Sequence, residues 1–338
     1  MKKLLLLSLL VSFSALHAQT ESLLKPARII FYNVENLFDT INSPDTQDED
    51  FLPDSKNKWN SKKYQVKLNH VARVLSSMLD TIQPLAIGLS EIENRQVLED
   101  LIVQPAMKKF NLGIIHHDSP DERGIDCALL YNKDFIEEVF DATLPVNFIY
   151  QTKDKTRDIL YFKGFMSEDY SIYFFINHWP SRRGEKEESE RKRMFAAKTL
   201  KAKLENLYLG EPYARVVAMG DFNDNPSDTS LHFITAREKS SKAPQMVNLM
   251  KPLEEKGEFS LRYQDQHDVF DQLIVSDNLV NTKNRYFIRQ GEAHIYSPAW
   301  LLFNHPKYGM IPNRTYANGK WVAGYSDHLP VYMDVVFK

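Results

Sequence analysis

Several segments of this chain are apolar without interruption, and each runs out into polar side chains. Val216, Val217, Ala218 and Met219 lead through Gly220 straight to Asp221, Asn223 and Asp224. Such a run, with no alternation to leave one face in water, reads as a strand buried in the core. ARIIFYNV (27–34), LAIGLSEI (85–92), YSIYFFINHW (170–179), VFDQLIVS (269–276) and HLPVYMDVVF (328–337) read as strands too. NLGIIHHD, IDCALLYN and LYFKGFM add three more candidates. Helices are fewer. In 64–82, Val66, Leu68, Val71, Val74, Leu75, Met78 and Leu79 fall mostly on one helical face. NRQVLEDLIVQPAMKKF and 184–209 are the other helical stretches. Strands outnumber helices and some follow one another directly, which favours a single α+β or layered α/β domain over a strict βαβ winding. No repeat, low-complexity tract or Pro/Gly-rich linker divides the chain.

The N-terminus is a separate object. Lys2 and Lys3, the apolar stretch LLLLSLLVSFSAL and the small Ala18 before a polar exit read as a secretory signal peptide over residues 1–18. Leu16 is larger than the residue usual three back from a cut. The apolar run is too short to span a bilayer comfortably. The expectation is therefore an exported protein, periplasmic or extracellular, with one domain over 19–338 and no transmembrane segment once the signal is cleaved. Removing two lysines from the 42 basic residues leaves 40 against 45 acidic, a net charge of −5. That balance excludes a general polyanion binder, so any phosphate-rich partner must be held by a local patch or by metal. Cys127 is the single cysteine, so no intramolecular disulfide is available, and it reads as a small buried hydrophobe.

What the strands carry at their ends is the functional signal. The first ends in Asn33, the next in Glu91, another in Asn177 and His178, and VVAMGDFND in Asp221 and Asn223. VFDQLIVS contains Asp271, and SDH (Ser326 to His328) precedes the last strand. Asp221 and Asn223 are two apart, so in extended chain they share a face. Asp327 and His328 can serve one site only if GYSDHLP is a turn, which Gly324 and Pro330 make reasonable. Carboxylates and carboxamides without thiolates suit a hard cation, Mg²⁺ first, then Mn²⁺ or Ca²⁺. Two histidines among them supply proton transfer or hydrogen bonds to phosphate near neutral pH. Metal, imidazole and amide around a water is the composition of phosphodiester hydrolysis.

NVENLF, LSEIEN, NHWPS, GDFND, FDQLIVS and SDHLP occur in an order that resembles the endonuclease/exonuclease/phosphatase superfamily, with DNase I-like nucleases among its members. The resemblance runs from about residue 28 to the C-terminus. It implies a four-layer α/β/β/α sandwich, two packed and mostly antiparallel sheets flanked by helices, with the site at one edge. It further implies that Asn33 and Glu91 hold metal, with Asp327 a second acidic residue near it. Asp221 then positions or deprotonates the attacking water, and Asn223 is a ligand for phosphate or that water. His178 contacts phosphate, and His328 is the catalytic histidine oriented by Asp271.

Softer candidates border this set. Arg123 and Asp126 in DSPDERGIDCALLY, Asn177 beside His178, and Arg182 and Arg183 after HWPS are candidate substrate contacts. Arg191, Lys192 and Arg193 read as a solvated helix face, with Glu187–Arg191 and Glu188–Lys192 as i,i+4 pairs. TQDEDFLPD reads as a solvated loop, since it lacks EF-hand spacing. The apolar cluster in 293–310 reads as a core helix or lid, or else as an exposed hairpin facing lipid. The expected function is a metal-dependent phosphodiesterase, most simply a nuclease acting on nucleic acid, working as a monomer without a stable protein partner. The alternatives are a phosphomonoesterase or lipid phosphodiesterase on the same scaffold, or an inactive binding module.

Overall fold

The unbroken apolar runs are unbroken because each strand is covered on both faces. The computed structural model describes residues 26–150, 153–168, 170–237 and 243–338. In chain order its main strands are β1 (Ala27–Leu37), β2 (Gln83–Ile92), β3 (Leu112–His116), β4 (Asp126–Asn132), β5 (Glu137–Leu144), β6 (Ile159–Ser167), β7 (Tyr170–His178), β8 (Arg215–Asp221), β9 (Met246–Asn248), β10 (Asp271–Ser276), β11 (Tyr286–Ile295) and β12 (Val331–Phe337). They form two six-stranded sheets, ordered β11-β12-β1-β2-β4-β3 and β5-β6-β7-β8-β10-β9. Helices α1 (Ser61–Ser77) and α2 (Arg95–Ile102) cover the first sheet, and α3 (Lys186–Gly210) covers the second. Phe174 and Ile176 point between the sheets with Phe31, Met219 and Met333, while Tyr173 and Phe175 pack under α3 with Ala196 and Leu200. The four layers are those of a DNase I-like sandwich.

Local chemistry sets the element ends. Asn60 accepts the Lys63 N–H at 3.2 Å and starts α1 three residues before the apolar pattern begins. Asn94 caps α2 through the Val97 N–H at 3.1 Å. The helix expected over the whole of 94–110 stops at Ile102, shortly before Pro105, whose ring disfavours helical backbone ahead of it. Three strands escaped the sequence reading, β5, β9 and β11, and all three are edges. β5 is exposed or half-exposed along its length, so no apolar run marks it.

Other expectations are corrected. Arg193 does not lie on a solvated face: it is 2% exposed, with Nε 2.7 Å from Asp224 Oδ1. Lys192 does pair with Glu188, at 3.0 Å. The 293–310 segment is no core helix. After β11 and a single 3-10 turn it forms a hairpin, Leu302–His305 against Gly309–Pro312, with Leu301 buried and Phe303 and Met310 exposed. The signal-peptide reading falls on residues 1–18, outside the described residues. Among those described, no helix is long and apolar enough to cross a membrane.

Two strand pairs are parallel, β1 with β2 and β7 with β8; the remaining pairings in both sheets are antiparallel. Parallel pairing delivers Asn33 beside Ser90 and Glu91, and His178 beside Asp221, to the same end of the sandwich. At that end Gly220 lies opposite Asn177. A Cβ on Gly220 would stand 2.2 Å from the Asn177 carbonyl oxygen. Gly220→Ala is therefore expected to cost at least about 1–3 kcal/mol, the usual range for overpacking. A urea midpoint equal to that of the wild type would overturn this expectation.

Candidate active site

The site forms where the carboxyl ends of β1, β2, β7 and β8 meet the first residue of β10 and the turn entering β12. Asp271 and Asp221 are register partners across the β8–β10 ladder, which sets two buried carboxylates side by side. His328 fills the space between them. Its Nδ1 is 2.8 Å from Asp271 Oδ2, and its Nε2 is 3.7 Å from Asp221 Oδ2. The turn expected at GYSDHLP is present. Ser326 Oγ donates to the Asn33 carbonyl at 2.7 Å and accepts the His328 N–H at 3.0 Å, locking the turn to the end of β1.

Asn33 fixes Asp221 from the other sheet. Its Nδ2 donates to Asp221 Oδ2 at 3.1 Å, and its Oδ1 accepts the Glu35 N–H at 3.0 Å. Asp221 Oδ1 accepts the Asn223 N–H at 2.9 Å. Asn223 Nδ2 donates to the Trp179 carbonyl at 2.9 Å, which leaves its amide oxygen as the free end. His178 Nε2 lies 3.7 Å from Asp221 Oδ2 and 4.0 Å from Glu91 Oε1. Non-glycine residues in left-handed backbone gather here: Glu35 at φ 51°, Asn36 at 61°, Glu91 at 63° and Asn223 at 50°. That conformation is uncommon for L residues, and it persists where surrounding packing over-determines it.

The electrostatics follow from burial. Burial lifts the Asp221 carboxyl to about 7, against the pull of His328 and with a further push from Asp271. Burial alone would lower the His328 imidazole, but Asp271 and Asp221 outweigh it and hold it well above its usual value. His178 has carboxylates near it but none hydrogen-bonded to it, as Asp271 is to His328. Burial, with the positive charge of Arg157 and Arg123 nearby, takes it well below its usual value, so it is neutral.

Glu91 is where a cation fits. Its side chain is 13% exposed, Oε2 accepts the Asn36 N–H at 2.9 Å, and Oε1 faces the neutral His178. No Lys or Arg nitrogen of the described residues lies within salt-bridge distance of it. A largely buried carboxylate without a cationic partner is costly, and carboxylate and amide oxygens suit a hard divalent ion. Asp327 stands at the rim, 2.9 Å from Arg314, which also reaches Glu35 at 3.2 Å and lies in the field of Glu91.

The structure sends several expected substrate contacts elsewhere. Asn177 is fully buried, donating to the Phe175 carbonyl and accepting from Trp179 Nε1 at 3.0 Å each, so it supports the strand end. Arg182 is held by the Asn223 carbonyl and by Asp224 and Asp228, bracing the loop after β8. Asp126 turns to the Ser119 N–H at 2.8 Å and to His116. Arg123 keeps a half-exposed guanidinium near Glu91 and Arg157. Sequence reading missed Arg157, Arg314 and Lys67. Arg157 is buried and donates to the carbonyls of His178 and Trp179, at 3.1 and 2.6 Å, and to Asp121 at 2.9 Å. Lys67 is fully buried on α1 and donates to Thr315 Oγ1 and the Tyr325 carbonyl, at 2.6 and 2.7 Å. These are single cations in loops or in an amphipathic helix, and nothing in their neighbours marks them.

Solved structures share this architecture. The human Nocturnin catalytic domain with bound sulfate anion aligns at TM-score 0.55 and 16% identity, covering 93% of this chain and 95% of its own. Truncated TDP2 of Caenorhabditis elegans aligns at 0.55 and 13%, covering 93% and 98%. The mannosyl-6-phosphatase Bt3783 of Bacteroides thetaiotaomicron aligns at 0.54 and 14%, covering 92% and 100%. No curated protein matches the sequence. A family model matches residues 28–336, nearly everything after the N-terminal segment, and by that match the chain belongs to the Endonuclease/Exonuclease/phosphatase family, a superfamily of metal-dependent phosphoesterases.

Proposed function

We propose that this member is a phosphodiester hydrolase acting on nucleic acid or a smaller phosphodiester, with Glu91, Asp327 and the Asn33 amide oxygen holding a Mg²⁺ or Mn²⁺ ion. The observation that carries the reading is the His328–Asp271 pair aimed at Asp221 beside Glu91, which no Lys or Arg of the described residues pairs with. When bound, the ion supplies charge neutralisation to the phosphoryl oxygens. Asp221, held by Asn33 and the Asn223 N–H, takes a proton from the attacking water, which the Asn223 amide oxygen helps to place. His328, cationic between two carboxylates, donates to phosphate oxygen on the other side. Neutral His178 offers a hydrogen bond without adding charge.

A phosphomonoesterase is the second reading. Arg182, already engaged by two carboxylates, does not extend a basic groove for a long polyanion, which suits a small phosphoester of either kind. The likeness to a mannosyl-6-phosphatase is compatible with it but carries the fold alone. Export, read from residues 1–18, belongs to the same proposal. N-terminal sequencing of the secreted protein checks it.

The test is a panel of DNA, RNA, bis-p-nitrophenyl phosphate, sphingomyelin and phosphomonoesters. Turnover on a diester should vanish in EDTA and return with Mg²⁺ or Mn²⁺. Glu91→Gln should raise the metal concentration needed by about 10-fold or more, the scale on which weaker ligand support acts. Full activity after exhaustive chelation, or turnover confined to monoesters, sinks the diesterase reading. The pH profile gives a second check. A base whose carboxyl sits at about 7 is lost on acidification, so the rate should fall below that pH, and cation binding beside it moves the midpoint lower. A rate that rises on acidification would exclude Asp221 as the base.

A further inference from the structure

A second group of potential ligands lies outside the reaction centre. His116 ends β3, Asp126 begins β4, and Asp118 stands in the loop between them. One ligand atom from each lies within 4.8 Å of the others. The histidine makes the group informative. Its side chain is 3% exposed, and its Nε2 is buried without a hydrogen-bond partner, although Asp126 Oδ2 is only 3.2 Å away. The two groups are close but not aligned as a donor and acceptor. Asp126 Oδ1 is already occupied by the Ser119 N–H at 2.8 Å. The neighbouring His117 is taken by Asp141 and does not compete.

We infer that His116 Nε2 and Asp126, with the exposed Asp118 side chain turning in from its place 3.9 Å from Nδ1, form a second divalent-cation site, for a borderline ion such as Zn²⁺ or Co²⁺ rather than Mg²⁺. The geometry and the donor set support this. Metal bonds of about 2.1 Å to imidazole nitrogen and carboxylate oxygen meet at about 100° when their ligand atoms are 3.2 Å apart. That angle lies between octahedral and tetrahedral values. An imidazole among carboxylates shifts preference from Mg²⁺ to the later divalent ions. The buried orphan nitrogen is what a cation would satisfy. An entry path exists, since Asp118 and Asp126 both line a cleft of about 800 Å³ that also borders Glu93 and Pro120.

Occupancy would clamp both ends of the 117–125 loop. Within that loop Asp121 holds Arg157, and Arg157 holds the carbonyls of His178 and Trp179. The site would thus act as a structural brace one step removed from the reaction edge.

The experiment titrates Co²⁺ into the metal-free full chain carrying Glu91→Gln, reading ligand-field absorption and stoichiometry by equilibrium dialysis. One Co²⁺ should bind, displaced by Zn²⁺ but not by millimolar Mg²⁺. Adding His116→Gln should abolish it. Asp118→Asn, at a side chain 88% exposed where folding is not at stake, should weaken it by about 10-fold or more. The inference is overturned if the Glu91→Gln chain binds no Co²⁺, or if its bound ion is unchanged by His116→Gln and Asp118→Asn. A chain that binds two ions, only one of them lost with His116, supports this site while removing Glu91 from the first.

Discussion

Replacing Asp271 by Asn is expected to lower kcat by roughly 10³- to 10⁴-fold, and His328→Ala by a similar factor. Asp271 is fully buried, and one oxygen is spent on His328 Nδ1 at 2.8 Å. That bond fixes which ring nitrogen faces Asp221 and holds the imidazole protonated. Asn at 271 can present an N–H to Nδ1, inverting the tautomer, and removes the charge that opposes desolvation. The His328 pKa should then fall, since the charge and hydrogen bond of Asp271 no longer oppose burial and only Asp221 and Asp327 still do. The change is readable by NMR titration of the imidazole. Because the two residues act as a unit, the double variant should lose little more than the worse single one. Losses that multiply would show independent action and end the dyad assignment.

Arg193→Ala should be the most destabilising single change outside the central core, costing about 3–5 kcal/mol. The substitution leaves Asp224 buried with its partner at 2.7 Å gone, keeping the part-exposed Arg182 at 3.2 Å from Oδ1 and Ser230 Oγ, which donates to Oδ2 at 2.6 Å. Burial already raises the Asp224 carboxyl, and Arg193 opposes that rise. Without Arg193 the carboxyl climbs further, so the folded state takes up a proton that the unfolded chain does not hold. The penalty should therefore shrink as pH falls from 8 toward 5. Urea denaturation of the metal-free protein at both pH values measures it. A penalty under 1 kcal/mol, or one that grows on acidification, would mean that the pair is not the anchor of the loop after β8. Asp224→Ala in the same background should recover part of the loss, because the buried charge that Arg182 alone compensates is then absent.

Burial on both faces wrote itself into the chain as apolar runs, so the central strands were readable without a structure. The polar residues at their ends were readable because nothing else in a core strand explains an Asn, Glu, His or Asp at its tip. Adjacent motif residues needed no long-range information: Asp221 with Asn223, and Ser326 with His328, are joined by local hydrogen bonds. Edge strands such as β5 were not readable, since exposure removes the apolar signature. What only the tertiary structure decided is which polar groups face each other. Arg193 looks like any charged residue on a long helix until the loop after β8 folds over it. Lys67, Arg157 and Arg314 act through carbonyls and carboxylates far away in sequence. His116 and Asp126 meet because β3 and β4 pair antiparallel. Sequence records the cost of burying apolar surface residue by residue; the partner of a buried charge belongs to another segment, and only packing brings the two together.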